Sequence, residues 1–375
     1  MRNKPYPWNE RLPWLSDFPE FLAFIEQSYA TKPAFVYERG KESVTVTFAQ
    51  FVADVYNLAA ELHLRNWAGK HYALMGPTSY EWILFFFAGI LSGGLAVAVD
   101  KDLPVKELQL RLTLSDTDIL VYVSAYADIA NSLHCKDKLC FDETAKLLDH
   151  GAAIFSRGGI DRKALVPGVD APAAIFFTSG TTGRAKGVML SSRNIIFNVC
   201  AASRSFWEEG MNLLILPLHH IYGIAAALLS PLLGGSCSAI CPSVKRVKYF
   251  LTAYPPDCIF GVPMVVESIA AELWRAAAKQ KKTKLLKTML AISNGLQKIG
   301  IDASSILLAS VRKNFGGRLQ SIGCGGAELD VKYYSLFRGL GVSLVNGYGI
   351  TECAPMIAMN RNRHWRDGSV GLPLC

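Results

Sequence analysis

Between residues 48 and 99 the spacing of apolar side chains changes period several times. Helical spacing from Phe48 to Leu64 gives way to a strand-like run at Tyr72 to Met75. A second helical stretch, Ser79 to Leu91, is followed by the strand-like Leu95 to Val99. Ile119 to Val123 predicts a further strand, and Ala174 to Phe177 leads directly into a loop of small residues. The same order returns later: "LLIL" (213–216) predicts a strand, "IAAALLSPLL" a helix, Gly234-Gly235 a turn and "SCSAI" a strand. Helix, Gly-Gly and strand therefore occur twice, around Gly93-Gly94 and around Gly234-Gly235. This alternation predicts an α/β fold, two related lobes of mostly parallel sheet flanked by helices. The stretch 156–173 is the clearest loop.

One apolar run needs separate treatment, because "WILFFFAGILSGGLAVAV" (82–99) is uncharged and long enough for a membrane span. Ser92-Gly93-Gly94 divides it into a helix-length and a strand-length half, which fits a buried helix turning into a buried parallel strand. At 375 residues more than one lobe is expected, and 51% hydrophobic content excludes a disordered chain. The net charge of +8 is modest for this length and does not indicate nucleic acid. Lys279, Lys281, Lys282, Lys284 and Lys287 form the densest basic patch, read as the polar end of a helix beginning near Val265. Such a patch is either a solvated helix face or a contact for an anionic membrane surface or a polyanionic cofactor. Nine irregularly spaced cysteines without a Cys-x-x-Cys pair, and an N-terminus without an export signal, lead to the expectation of reduced thiols and a cytoplasmic protein.

The loop after Phe177 reads "TSGTTGRAKGV". Glycines let the backbone approach a bulky anion, hydroxyls and N–H groups donate to it, and a nearby lysine supplies a point charge. Phosphate is the natural guest, although the spacing is not that of a Walker loop. Tyr348, between two glycines in "NGYGITECAP" (346–355), offers a ring for stacking on a purine. Thr351 offers a hydroxyl and Glu352 a carboxylate for Mg²⁺. "GCGGAEL" (323–329) brings bare backbone that could meet the edge of a base.

Together, "TSGTTGRAKGV", "LPLHHIYG", "GGAEL", "NGYGITE" and "GSVGLP" resemble, in order and separation, the motifs of the adenylate-forming superfamily, which includes acyl-CoA synthetases. The chain looks most like a long-chain fatty acyl-CoA synthetase, through "CIFGVPMVVESIAAEL" and the basic stretch after it, with Met264 where those enzymes commonly carry an arginine. The resemblance implies ATP-dependent activation of a carboxylic acid through acyl-AMP, pyrophosphate release, and transfer to the thiol of CoA or of an acyl-carrier protein. It implies a phosphate loop of Thr178, Ser179, Gly180, Thr181, Thr182, Gly183 and Lys186, with Thr181 and Glu352 at Mg²⁺. Gly325, Gly326 and Ala327 would form the adenine wall, with Asn346, Gly347, Tyr348 and Gly349 around the base. Lys186, His220, Thr351 and Glu352 would carry catalysis; His219 is expected to be structural. One lobe would comprise 65–204 and the other 1–64 with 205–358, leaving 359–375 to begin a small β subdomain. The superfamily's ribose-binding aspartate and C-terminal lysine find no counterpart here, so the expectation is a chain that binds ATP and a fatty acid but turns over poorly unless the downstream segment is supplied.

Overall fold

A strand that is apolar along its whole length needs cover on both faces, and the chain folds to provide it. The computed structural model describes residues 9–179, 185–206, 209–361 and 366–375. Its strands are β1 (Pro33–Arg39), β2 (Glu42–Thr47), β3 (His71–Met75), β4 (Leu95–Ala98), β5 (Ile119–Tyr122), β6 (Asp137–Cys140), β7 (Pro172–Ser179), β8 (Ala185–Ser191), β9 (Met211–Leu214), β10 (Cys237–Ile240), β11 (Cys258–Gly261), β12 (Ser321–Cys324), β13 (Ser343–Gly349), β14 (Met356–Met359) and β15 (Leu372–Pro373). One sheet runs β6-β5-β3-β4-β7-β8 and is parallel except for the β7/β8 hairpin. The other runs β15-β14-β13-β12-β11-β9-β10-β1-β2 and is parallel from β13 to β1. This is the α/β architecture of two mostly parallel, helix-flanked sheets that the sequence predicts.

Alternation along the strands creates three apolar layers. In β3, Tyr72 and Leu74 face a central cluster, whereas Ala73 and Met75 face an outer one with Leu108 and Leu112. The central cluster also takes Phe35, Leu214 and Phe260 from the other sheet, so helices 18–29, 48–64 and 80–91 lie between the two sheets. A third cluster covers the far face of the larger sheet with helices 263–279, 283–298 and 332–339. The Tyr80–Leu91 helix is buried on every side, which is why it lacks a polar stripe. Its start is fixed by Ser79, whose hydroxyl accepts from the Trp82 N–H. Among the described residues no helix is long and apolar enough to cross a membrane.

The repeated Gly-Gly unit serves one purpose in both sheets. Gly93 and Gly235 take left-handed φ values of 75° and 72°, ending a buried helix so that β4 or β10 can begin at once. Two expectations need correction and one a refinement. β9 starts at Met211, not Leu213, because its ladder with β10 pairs Met211 with Cys237 and ends at Leu214 with Ile240. The predicted helix after Tyr222 is present, π-helical over Gly223–Leu229 and α-helical over Ser230–Leu233. The basic run is not one helix end: helix Pro263–Lys279 stops, Lys281 adopts φ 55°, and a new helix spans Thr283–Lys298. Cys200, Cys241, Cys258 and Cys324 are buried.

Candidate active site

Strand order locates the site. In the larger sheet, the chain passes from β9 to β10 on one side and later returns to β11, β12 and β13 on the other. A crevice opens outside the carboxyl ends of the strands at such a reversal. A cavity of about 520 Å³ lies there. Residues just past β9 (Ile215, Leu216, Pro217) line one side, and the ends of β11, β12 and β13 line the other.

Two kinds of chemistry are mixed in its wall. One is glycine-rich: Gly323, Gly325, Gly326, Gly347 and Gly349, with Asn346, Tyr348 and Thr351. The other is aliphatic and aromatic, including Phe260, Val262, Met264, Met356 and Met359. Among the described residues, no lining side chain is an Asp, Glu, Lys or Arg. Tyr348 is 52% exposed, leaving its ring free for a planar partner.

His220 and Tyr222 also line the cavity. The Tyr222 hydroxyl lies 3.3 Å from the Gly323 carbonyl, to which it donates, tying the 215–226 segment to β12. Burial raises its pKa, so it remains a neutral donor. Burial lowers the pKa of His220, partly offset by the Asp100 carboxylate. The His219 ring lies beside it, centroids 4.3 Å apart and planes tilted by 54°, and is 3.9 Å from Asp100. Burial, reinforced by His220, pushes the His219 pKa down to about 4. Both imidazoles are thus favoured in the neutral form near pH 7, where a ring N–H can donate without adding charge. His219 does not line the cavity and sits against the first sheet, in keeping with a structural use.

A separate device holds the Thr351 turn. Asn198, on the helix Ser192–Ser205 that follows β8, donates through Nδ2 to the carbonyls of Cys353 (3.1 Å) and Met356 (2.7 Å). Its Oδ1 accepts from the Met356 N–H at 3.1 Å. Helix entry is secured by a capping box between Ser191 and Asn194. β8 also packs against the Thr351–Cys353 turn, so the hairpin of one sheet abuts the site loop of the other.

The cavity gathers His220, Gly325, Gly326, Asn346, Gly347, Tyr348, Gly349 and Thr351. Thr178 and Lys186 face each other across the β7/β8 hairpin, outside the cavity wall. Ser179 ends β7, while Gly180, Thr181, Thr182 and Gly183 lie outside the described residues. Ala327 and Glu352 are exposed beside the cavity and do not line it. Among the described residues no cluster of three His, Cys, Asp or Glu side chains could cage a metal alone. A lone carboxylate such as Glu352 still fits Mg²⁺, which takes one or two protein carboxylates and completes its shell with water and substrate phosphate. Tyr222, Asp100 and Asn198 are site residues that sequence reasoning missed; only Tyr222 had a signal, its place in "LPLHHIYG".

Among curated relatives, the long-chain-fatty-acid–CoA ligase FadD15 of Mycobacterium bovis is 24% identical over 340 residues, covering 82% of this chain and 56% of that protein. A feruloyl-CoA synthase from Amycolatopsis is 26% identical over 337 residues, covering 88% of this chain and 59% of the relative. The chain thus spans a little over half the length of these relatives. Among solved structures, the inhibitor-bound N-terminal domain of FACL13 from Mycobacterium tuberculosis superposes with a TM-score of 0.74 at 18% identity, covering 95% of this chain and 82% of that one. The family model described as AMP-binding enzyme matches residues 24–375. A cavity at the strand reversal walled by glycines, a hairpin of hydroxyls and lysine beside it, and a family match over nearly the whole chain lead to one conclusion: the chain belongs to the AMP-binding enzyme family.

Proposed function

We propose that this chain forms the ATP- and acid-binding part of an acid–thiol ligase. A carboxylate oxygen attacks the α-phosphorus of ATP, the bond from that phosphorus to the bridging oxygen breaks, and acyl-AMP and pyrophosphate form. The thiol of CoA then displaces AMP. The observation that carries this reading is the uncharged cavity at the strand reversal, lined by glycine backbone together with aliphatic and aromatic side chains, with Lys186 and Glu352 outside it. An adenine needs backbone edges and a ring face, and an acyl chain needs apolar cover. Charged groups belong at the mouth, where the phosphates would lie.

In this reading Tyr348 stacks on adenine against Gly325, Gly326 and Ala327, with Asn346, Gly347 and Gly349 shaping the loop. Thr351 donates to the α-phosphate. Thr178, Ser179, Gly180, Thr181, Thr182, Gly183 and Lys186 hold the outer phosphates, which leaves the α-phosphorus open to attack. Glu352 and Thr181 would hold Mg²⁺, which supplies charge neutralisation between two anions. Neutral His220 orients the carboxylate by hydrogen bond without neutralising the nucleophile. In this reading the chain divides into two lobes, 65–204 and 1–64 with 205–358.

The apolar lining supports a medium- or long-chain fatty acid, in line with the first relative. The feruloyl-CoA synthase relative supports an aromatic acid in the same space, bounded by Phe260 and Tyr222. Carboxylic-acid-dependent exchange of pyrophosphate into ATP, measured across fatty and aromatic acids, tests the proposal. Exchange that rises with one acid class supports it and assigns the substrate. ATP binding with no exchange for any acid, even with the family's C-terminal domain supplied, would make the chain a non-catalytic nucleotide-binding module.

A further inference from the structure

From Lys279 to Lys298 the chain carries six lysines and no Asp or Glu. The six are Lys279, Lys281, Lys282, Lys284, Lys287 and Lys298, all exposed, and among the described residues none is in an ion pair. The break between the two helices concentrates this charge, because Lys281 in its left-handed turn and Lys282 project beside the first turn of the next helix. Cations at a helix N-terminus oppose the macrodipole, so the arrangement does not serve helix stability.

The Thr283–Lys298 helix also exposes apolar side chains in register. It buries Leu286, Leu290 and Ser293 against the protein. On another face, Leu285, Ile292 and Ile299 recur at seven-residue spacing and are 53%, 48% and 71% exposed. Seven residues are close to two helical turns, so the three align in one stripe, with Lys284 and Lys298 each about 100° round the helix from Leu285 and Ile299, and Lys281 and Lys282 at its N-terminal end. Past the helix end, Ile301 and Ile306 are exposed as well. Scattered surface isoleucines need no explanation, but an aligned stripe flanked by unpaired lysines does.

We propose that this face docks on an anionic phospholipid bilayer, with Leu285, Ile292 and Ile299 entering the headgroup boundary and the lysines meeting lipid phosphates and carboxylates. An aliphatic stripe bordered by lysines is the chemistry of an interfacial helix. A second copy of the face is disfavoured, since antiparallel pairing would set lysines against lysines. Nucleic acid is disfavoured because aliphatic rather than aromatic or arginine side chains are interleaved with the cations. The surface is separate from the active-site cavity: the Pro263–Lys279 helix runs from Met264 at the cavity to the lysine turn, about 24 Å away by helical rise. The inference therefore does not rest on the ligase reading.

Co-sedimentation of the full chain with phosphatidylcholine vesicles, with and without phosphatidylserine, tests it. Binding is expected only to the vesicles containing phosphatidylserine, and it should weaken as salt rises. The triple variant K281E/K282E/K284E should lower partitioning about 100-fold, about five-fold for each lysine. L285S/I292S should lower it about ten-fold or more while leaving selectivity for the anionic lipid. Both variants should keep the parent melting temperature and ATP affinity. Equal binding to neutral vesicles, or partitioning unchanged in either variant, would overturn the proposal. So would a dimer dissolved by L285S/I292S in sedimentation velocity, or tight duplex-DNA binding insensitive to that pair of substitutions.

Discussion

Asn198 offers the sharpest test of how the site loop is held, because a single amide makes three hydrogen bonds to one turn. Its own helix follows the hairpin of the first sheet, while the turn it grips carries Thr351 of the second. Replacing it with alanine removes all three bonds and leaves the Met356 N–H and carbonyl, both partly buried, without those partners. At about 0.5–1.5 kcal/mol net for each bond, discounted because Cys353 is exposed and can rehydrate, the loss is about 2 kcal/mol. Felt locally, that shortens amide exchange protection of residues 351–359 by about 30-fold, since about 1.4 kcal/mol is a factor of ten. The global melting temperature should fall by only a few degrees in a chain of this length. Hydrogen exchange by mass spectrometry reads the local effect, and nucleotide titration should show weaker ATP binding. Asn198→Asp provides the control: it keeps the acceptor for the Met356 N–H but sets a carboxylate against two carbonyls, so it should be at least as damaging as alanine. If Asn198 merely fills space, the aspartate variant will retain protection and affinity, and the reasoning fails.

Lys186→Ala and Glu352→Ala should each depress acid-dependent pyrophosphate exchange about 100-fold. Both side chains are exposed, so the melting temperature should hold within about 1 °C; normal exchange rates in both variants would count against the site assignment. At Gly223 an added Cβ would sit 2.4 Å from the Pro217 carbonyl, so Gly223→Ala should cost about 2–3 kcal/mol, and an unchanged melting temperature would show that the π-helical stretch yields easily. His219 has a folded pKa near 4, below its ordinary value of 6.5, so the unfolded chain binds its proton first as pH falls. Its contribution should be fully present above pH 6.5 and decline towards pH 4; His219→Gln should flatten that limb of the melting-temperature profile, and superimposable profiles would contradict the assignment.

Local periodicity and punctuation made much of the architecture readable. Ser79 capping a run of aromatics, and Gly93 ending it, are chemical signals confined to a few neighbouring residues, so the helix and strand around them match the prediction within a residue or two. The break at Gln280–Lys282 was hidden because no Gly or Pro marks it, and Lys281 adopts a conformation that side-chain type does not announce. Likewise, nothing in the side-chain types of Gly223–Leu229 announces its π-helical spacing. In the site, "NGYG" and "GCGG" were visible because glycine is chemically unusual wherever it occurs. Asn198 was not, since its partners lie 155 and 158 residues further along the chain. Asp100 joins the histidine pair only because the two sheets pack against each other.

The central claim is that the cavity at the β9/β11 strand reversal holds adenosine and acid side by side. A crystal structure of the chain soaked with a non-hydrolysable acyl-adenylate analogue tests this most directly. Density for the base between Tyr348 and Gly325–Gly326, with the acyl group running toward Met264 and Met359, is the predicted result. An empty cavity, with the analogue bound at any other surface, would contradict the account.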